Sequence, residues 1–114
     1  KDGLAFSSRN SIISISNRKK AKQIYCSLES IKNEIKKRKF TKSRINFYKK
    51  KLLEIGFEKI NYLVIRKEKD LSILGEKPSK CRILISANIG GVRLIDNLKL
   101  GKLIFKKNIY YSSY

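Results

Sequence analysis

At 114 residues the chain is one domain's worth, and 41% hydrophobic residues with a single proline exclude a disordered segment. Two cysteines and no histidine exclude a disulfide framework and argue against a zinc site or a Ser-His or Cys-His nucleophile pair. A formal net charge of +19 keeps anionic partners in view, nucleic acid or a membrane surface among them.

The excess is carried by Lys and comes with many Ile, Asn and Tyr, the combination an AT-rich coding sequence produces, so most of the charge is read as compositional. No apolar run is long enough to span a bilayer and no signal peptide is visible. Cys26 and Cys81 are read as reduced, mostly buried thiols of a cytoplasmic protein. The chain opens on Lys and reaches its most informative stretch at once, so it is read as a piece of a longer protein.

In chain order, that stretch is Lys1-Asp2-Gly3-Leu4-Ala5-Phe6-Ser7-Ser8-Arg9-Asn10. Two adjacent hydroxyls beside a guanidinium suit phosphate oxygens, because each hydroxyl donates one hydrogen bond and the arginine fork donates two in parallel. The same residues also make an ordinary solvated turn. Ser11, Ile12 and Ile13 read as a short extended piece. Ser14 is a candidate N-cap for a helix whose apolar face is Ala21, Ile24, Tyr25, Leu28, Ile31 and Ile35, ending in the cationic run 36–39. Thr41 is a second N-cap candidate. Ile45, Tyr48, Leu52 and Ile55 follow at helical steps, and Gly56 supplies a stop. Two antiparallel helices fit this half.

Residues 60–65 are β-branched and aromatic and read as a strand. Residues 68–80, with Asp70, Gly75 and Pro78, read as a loop with room for one helical turn near 70–74. Residues 81–87 read as a central strand. A hairpin turn at Asn88-Ile89-Gly90-Gly91 then returns the chain through Arg93, Leu94, Ile95 and Leu98. The expected fold is an α+β two-layer domain, two helices packed on a small antiparallel sheet, preceded by a phosphate-contacting loop. It occupies residues 1–100. Residues 101–114 form a basic, aromatic tail of unknown role that either adds an edge strand or frays.

Three segments carry a family resemblance. Asp2-Gly3-Leu4-Ala5-Phe6-Ser7-Ser8-Arg9-Asn10 resembles the Asp-Gly-Leu-Ala-Met-Ser-Ser-Arg-Asn segment of pantothenate synthetases (pantoate–β-alanine ligases). Gly90-Gly91-Val92-Arg93-Leu94-Ile95-Asp96-Asn97 is similar to that family's Gly-Gly-x-Arg-Leu-Ile-Asp-Asn close, and Ile60-Asn61-Tyr62-Leu63 stands where the family usually has Val-Asp-Tyr-Leu. The three come in family order and span residues 2 to about 98.

The resemblance implies a C-terminal, lid-like domain of an enzyme that joins pantoate to β-alanine. Pantoate attacks the α-phosphate of ATP to give pantoyl adenylate, magnesium accompanies the nucleotide, and the β-alanine amine then displaces AMP. It implies that Ser7, Ser8 and Arg9 contact the β- and γ-phosphates, with Arg9 the principal charge, and that Phe6, in place of the usual Met, lies near the nucleotide through its backbone. Donors aimed at the departing pyrophosphate would favour the transition state. Asp2, Asn10, Arg93, Asp96 and Asn97 are read as structural, with Asp96 holding Arg93 or a loop amide. Asn61 removes the charge of the usual Asp. The resemblance further implies a Rossmann-like N-terminal partner domain that supplies the pantoate pocket and most of the dimer contact. The segment alone would then be inactive and free to be monomeric. Three rival readings stand beside it: a basic nucleic-acid-binding module, although no helix-turn-helix, zinc-finger, RRM or KH signature is present, another adenylate-forming nucleotidyltransferase, and a purely structural remnant.

Overall fold

The computed structural model describes residues 15–112. The first helix, α1 (Ile15–Lys36), forms because its apolar residues recur every three or four positions. Ala21, Ile24, Leu28, Ile31 and Ile35 are all buried by that spacing, while Tyr25, expected with them, stays half-exposed at the edge of the stripe. The second helix, α2 (Lys42–Ile55), begins at Thr41, whose extended backbone is that of an N-cap although its hydroxyl pairs with Ser43 at 2.9 Å instead of a helix amide.

Both helices stop in the same way. At the end of α1, Lys39 N donates to Glu34 O and Arg38 N to Ile35 O, with Arg38 in the left-handed region at φ 57°. At the end of α2, Phe57 N donates to Leu52 O and Gly56 N to Leu53 O, with Gly56 at φ 133°. These paired bonds satisfy carbonyls that a helix end leaves open. Each stop delivers a phenylalanine into the core: Phe40 is 0% and Phe57 3% exposed.

The helices run antiparallel. Lys20 near the start of α1 lies beside Gly56 at the end of α2, and Glu34 near the end of α1 meets Arg44 at the start of α2. Arg44 Nε and Nη2 donate to the two Glu34 carboxylate oxygens at 2.9 and 3.0 Å, and Tyr48 donates its hydroxyl to Glu34 Oε2. Arg44 also stacks 4.1 Å from the Phe47 ring centroid.

Beneath the helices lies one antiparallel sheet in the order β1 (Lys59–Lys67), β2 (Ser79–Ile89), β3 (Val92–Lys106), β4 (Ile109–Ser112). Alternate residues of β2, Cys81, Ile83, Ile85, Ala87 and Ile89, are all buried on the helix side. Leu63 and Ile65 of β1 and Val92 and Leu94 of β3 extend that face. The fold is thus the expected α+β domain, two helices on an antiparallel sheet; the loop expected to precede it lies outside the described residues.

Residues 101–112 complete the sheet. β3 passes Gly101, where the register with β2 shifts, and runs to Lys106. A turn with Lys107 and Asn108 at φ 53° and 66° leads into β4, the edge strand. Tyr110 packs on Phe105 (ring centroids 4.6 Å) and Phe40 (5.6 Å). Its amide donates to Phe40 O, and Lys42 N donates to Asn108 O, so this hairpin holds the link between the helices.

Two local expectations are corrected. Residues 70–74 contain no helical turn: the Asp70 carboxylate accepts the Ser72 amide at 2.9 Å, Leu71 sits at φ 59°, and Ile73 bridges to Arg66. A short acidic side chain that bonds the backbone two residues on competes with a helix. The thiols also differ. Cys81 is buried, and burial pushes it up to about 11, whereas Cys26 is exposed because it falls about 200° around α1 from buried Ile24.

The Glu34 cluster makes stability depend on pH. Burial works to raise the Glu34 carboxyl, but the hydrogen bonds from Arg44 and Tyr48 and the Arg44 charge outweigh it and hold Glu34 below the usual value. Burial, then the Glu34 hydrogen bond and charge, push the Tyr48 hydroxyl up to about 12. With the folded value above the ordinary 10.0, the Tyr48 contribution is intact below pH 10 and is lost as pH rises through about 12. Tyr48→Phe is therefore expected to lower stability at neutral pH by about 1 kcal/mol and to flatten the alkaline fall, the residual slope belonging to groups such as Cys81 and Tyr110, which burial also raises. Urea unfolding across that window checks this; an alkaline profile identical to the parent's would remove Tyr48 as a source.

Candidate functional site

The residues expected to contact phosphate, Phe6, Ser7, Ser8 and Arg9, lie outside the described residues, as do Asp2, Asn10 and the Ser14 cap. The described residues begin with α1. α1 begins at one end of the sheet, where Asn17 stands so close to the β2–β3 hairpin that a Cβ on Gly90 would come within 2.5 Å of Asn17 Nδ2.

The hairpin turns through two residues only. Gly90 at φ 58° and Gly91 at φ 76° give the mirror-image turn whose twist matches antiparallel strands, and only glycine adopts both angles at little cost. Glu58 tethers the turn: its Oε1 accepts the Gly91 amide at 2.9 Å, and its own amide donates to Asn88 O at 2.9 Å.

Next to the turn, on the sheet face away from the helices, lies a small polar network. Asn61 Nδ2 donates to Ser86 Oγ (3.1 Å) and Asn88 Oδ1 (3.0 Å), and Arg93 Nε donates to Ser86 Oγ (2.8 Å). Ser86 is 0% exposed, so its hydroxyl oxygen anchors both an amide and a guanidinium. Asn61 engages neutral partners here, which its amide allows. Arg93 is exposed and places a cation at this end of the sheet.

Asp96 does not hold Arg93. The two are three residues apart on β3, so strand alternation puts them on opposite faces. Asp96 lies directly across from buried Ile85 on the helix side, is 7% exposed, and its Oδ1 accepts the Asn97 amide at 2.8 Å. Its charge reaches Tyr25 on α1, whose phenol is raised chiefly by the Glu29 hydrogen bond and charge and lastly by Asp96. Asn97 Oδ1 accepts from Arg82 Nη1 at 2.6 Å, which fits the structural reading of that residue.

Two of the three resemblance-carrying segments, 60–63 and 90–97, therefore meet at one end of the sheet; the third lies outside the described residues. Sequence reasoning missed Glu58 and Ser86. Glu58 gives no signal, since its partner lies 33 positions away. Ser86 gives one: it is the lone polar residue in the run Ile83-Leu84-Ile85-Ser86-Ala87. Among the described residues no three His, Cys, Asp or Glu side chains are grouped to hold a metal ion.

Comparison with known proteins identifies the family. The Pantoate-beta-alanine ligase family model matches residues 1–99. A pantothenate synthetase from Wigglesworthia glossinidia brevipalpis is 40% identical over 105 residues, 87% of this chain and 36% of that protein. One from Thermosipho melanesiensis is 34% identical over 100 residues, 88% of this chain and 36% of that protein. The crystal structure of pantothenate synthetase from Thermus thermophilus superposes with a TM-score of 0.70 at 28% identity, again covering 88% of this chain and 36% of that one. The chain thus spans about a third of the length of the relatives it matches.

The two hairpin glycines separate backbone strain from contact with α1. Gly91→Ala adds a Cβ with nothing within 4 Å and is expected to cost about 1–2 kcal/mol from its positive φ alone. Gly90→Ala carries the same strain and must also displace Asn17, so it is expected to cost more and to speed amide exchange in the first turn of α1. Urea unfolding with hydrogen exchange measures both; equal losses and an unchanged α1 would dissociate the hairpin from the helix start.

Proposed function

Because the chain belongs to the pantoate-beta-alanine ligase family, we propose that it forms the C-terminal part of an ATP-dependent ligase that condenses pantoate with β-alanine to pantothenate. In the first step a pantoate carboxylate oxygen bonds to the α-phosphorus of ATP as the bond to pyrophosphate breaks. In the second the β-alanine amine attacks the acyl carbon of pantoyl adenylate, losing a proton as AMP leaves. Residues 1–100 serve as the lid domain of a cytoplasmic enzyme whose Rossmann-like N-terminal domain supplies the pantoate pocket, most adenine contacts and the homodimer interface. The 114 residues alone are expected to be inactive.

The observation that carries this reading is the family match over residues 1–99, with two of the family-like segments, 60–63 and 90–97, meeting at one end of the sheet. A loop that must close on phosphate works best from a rigid base. Asn17 against Gly90, Glu58 on the Gly91 amide, and Asn61 and Arg93 on Ser86 make such a base directly where α1 begins. From there Ser7 and Ser8 donate hydroxyls and Arg9 its fork to the β- and γ-phosphates, where negative charge grows as pyrophosphate departs. Phe6 contributes backbone beside the nucleotide. Magnesium accompanies the nucleotide, and the described residues offer it no ligand set of their own.

Arg9→Ala in the full-length protein is expected to lower ATP- and pantoate-dependent pyrophosphate release roughly a hundredfold, the usual loss for one donor at a developing anion. Near-normal release would remove Arg9 from the mechanism. Release that does not depend on pantoate would overturn the substrate assignment.

A further inference from the structure

A cleft of about 260 Å³ opens between the free edge of β1, the start of α2, residues 73–74 and the β3–β4 hairpin, lined by none of the residues that carry the ligase reading. We propose that this cleft binds a small organic acid, one carboxylate on a short branched or aromatic body.

The walls are apolar. Ile65, Leu74 and Tyr110 are buried and, with half-buried Ile45 and Phe105, form the inside of the cleft. Ile73 also lines it and is 74% exposed. A large aliphatic side chain left so open gains when an apolar body lies against it. The volume falls below the roughly 300–1,000 Å³ of drug-sized sites, so the body is small.

The cations are Lys42 and Arg66, and the lining contains no carboxylate. Among the described residues neither has an acidic partner, unlike Arg44, which holds Glu34, and Arg82, which lies near Glu68. Arg66 follows buried Ile65 on β1, yet its head turns to the strand's free edge. Lys67 N bonds Ser72 O in place of β2, and strand residues alternate the side to which their backbone groups point, so Ile65 O also points away from β2. Arg66 Nη1 donates to that oxygen at 3.0 Å, which brings the guanidinium round to the cleft with further N–H groups to offer. Burial raises the Tyr110 phenol while the Arg66 charge works to lower it, so the guanidinium lies within electrostatic reach of that wall. Lys42 opens α2, with its amide fixed to Asn108 O at 2.9 Å. No acid stands in the first turn of α2, and the positive end of the helix dipole adds to the potential there.

A carboxylate accepts from a guanidinium and an ammonium together, and partial enclosure strengthens both contacts relative to open water. The same apolar walls disfavour a polyphosphate, whose many oxygens would be buried without donors. No residue of the cleft falls in the family-like segments 60–63 and 90–97, so its occupancy and the ligase activity are separable.

The test follows the Ile, Leu and Val methyl signals of the 114-residue chain at neutral pH as sodium benzoate or sodium 3-methylbutanoate is added. Saturable one-to-one shifts are expected at Ile45, Ile65, Ile73 and Leu74. Benzyl alcohol, with the ring and no charge, and acetate, with the charge and no body, are each expected to bind about tenfold more weakly than benzoate. Arg66→Gln is expected to weaken benzoate binding about tenfold and Ile73→Ser, at an exposed position, about threefold, while Lys50→Gln on the exposed side of α2 leaves it unchanged. Equal binding of benzoate and benzyl alcohol would overturn the proposal, leaving only an apolar hollow. No saturable shift with either salt, shifts spread over the whole surface, or parent-like affinity in Lys42→Gln/Arg66→Gln would overturn it as well.

Discussion

Burial of the apolar stripe of α1 on the inner face of β2 and β3 is the constraint from which the rest follows. Ala21, Ile24, Leu28, Ile31 and Ile35 meet a face made of Ile83, Ile85, Ala87, Ile89 and Leu94. Each large side chain taken fully from water contributes about 1.5–3 kcal/mol, so together they fix both the rotation and the axial position of the helix. Because strand residues alternate, fixing the inner face also fixes the outer one. Ser86 and Asn88 must then face away from the helices, where Asn61 and Arg93 reach them. The polar network at the hairpin end is in this sense a product of the core.

That constraint also explains why the two ends of the sheet differ. At one end a two-glycine turn lets β2 and β3 close tightly, and α1 starts against it. At the other, residues 68–78 wander before β2 begins, and Gly75 O accepts from Phe105 N across to β3, curling the sheet. The tight end suits a loop held in register; the open end leaves an apolar hollow beside β1.

Much of this architecture was legible in the sequence. The three- and four-residue spacing of α1 and α2, the β-branched run of β1 and the Gly90-Gly91 pair each reflect local physics, and each element formed where that physics places it. What escaped was non-local or finely balanced. The Glu34–Arg44–Tyr48 cluster joins positions 10 and 14 apart across a helix break, and no periodicity announces it. The pairing of β4 depends on β3 continuing past Gly101, into the stretch whose sequence left open whether it pairs or frays. The face of Asp96 was knowable in principle: once β3 is continuous, a three-residue offset from Arg93 forbids their meeting. The residues with the most chemistry, Ser7, Ser8 and Arg9, drew their assignment from likeness to a family, since alone they spell an ordinary turn.

The clasp formed by the last hairpin has a consequence for biosynthesis. The helix link at residues 40–42 is held by backbone groups of residues 108–110, which leave the ribosome long after it. While translation continues, Phe40 has neither Tyr110 beside it nor an amide on its carbonyl. Until then the aromatic face of Phe40 that Tyr110 covers stays open. Maturation of this domain is therefore set by arrival of its final strand, and slow elongation there would prolong the interval in which a chaperone, or a neighbouring nascent chain, finds that surface open.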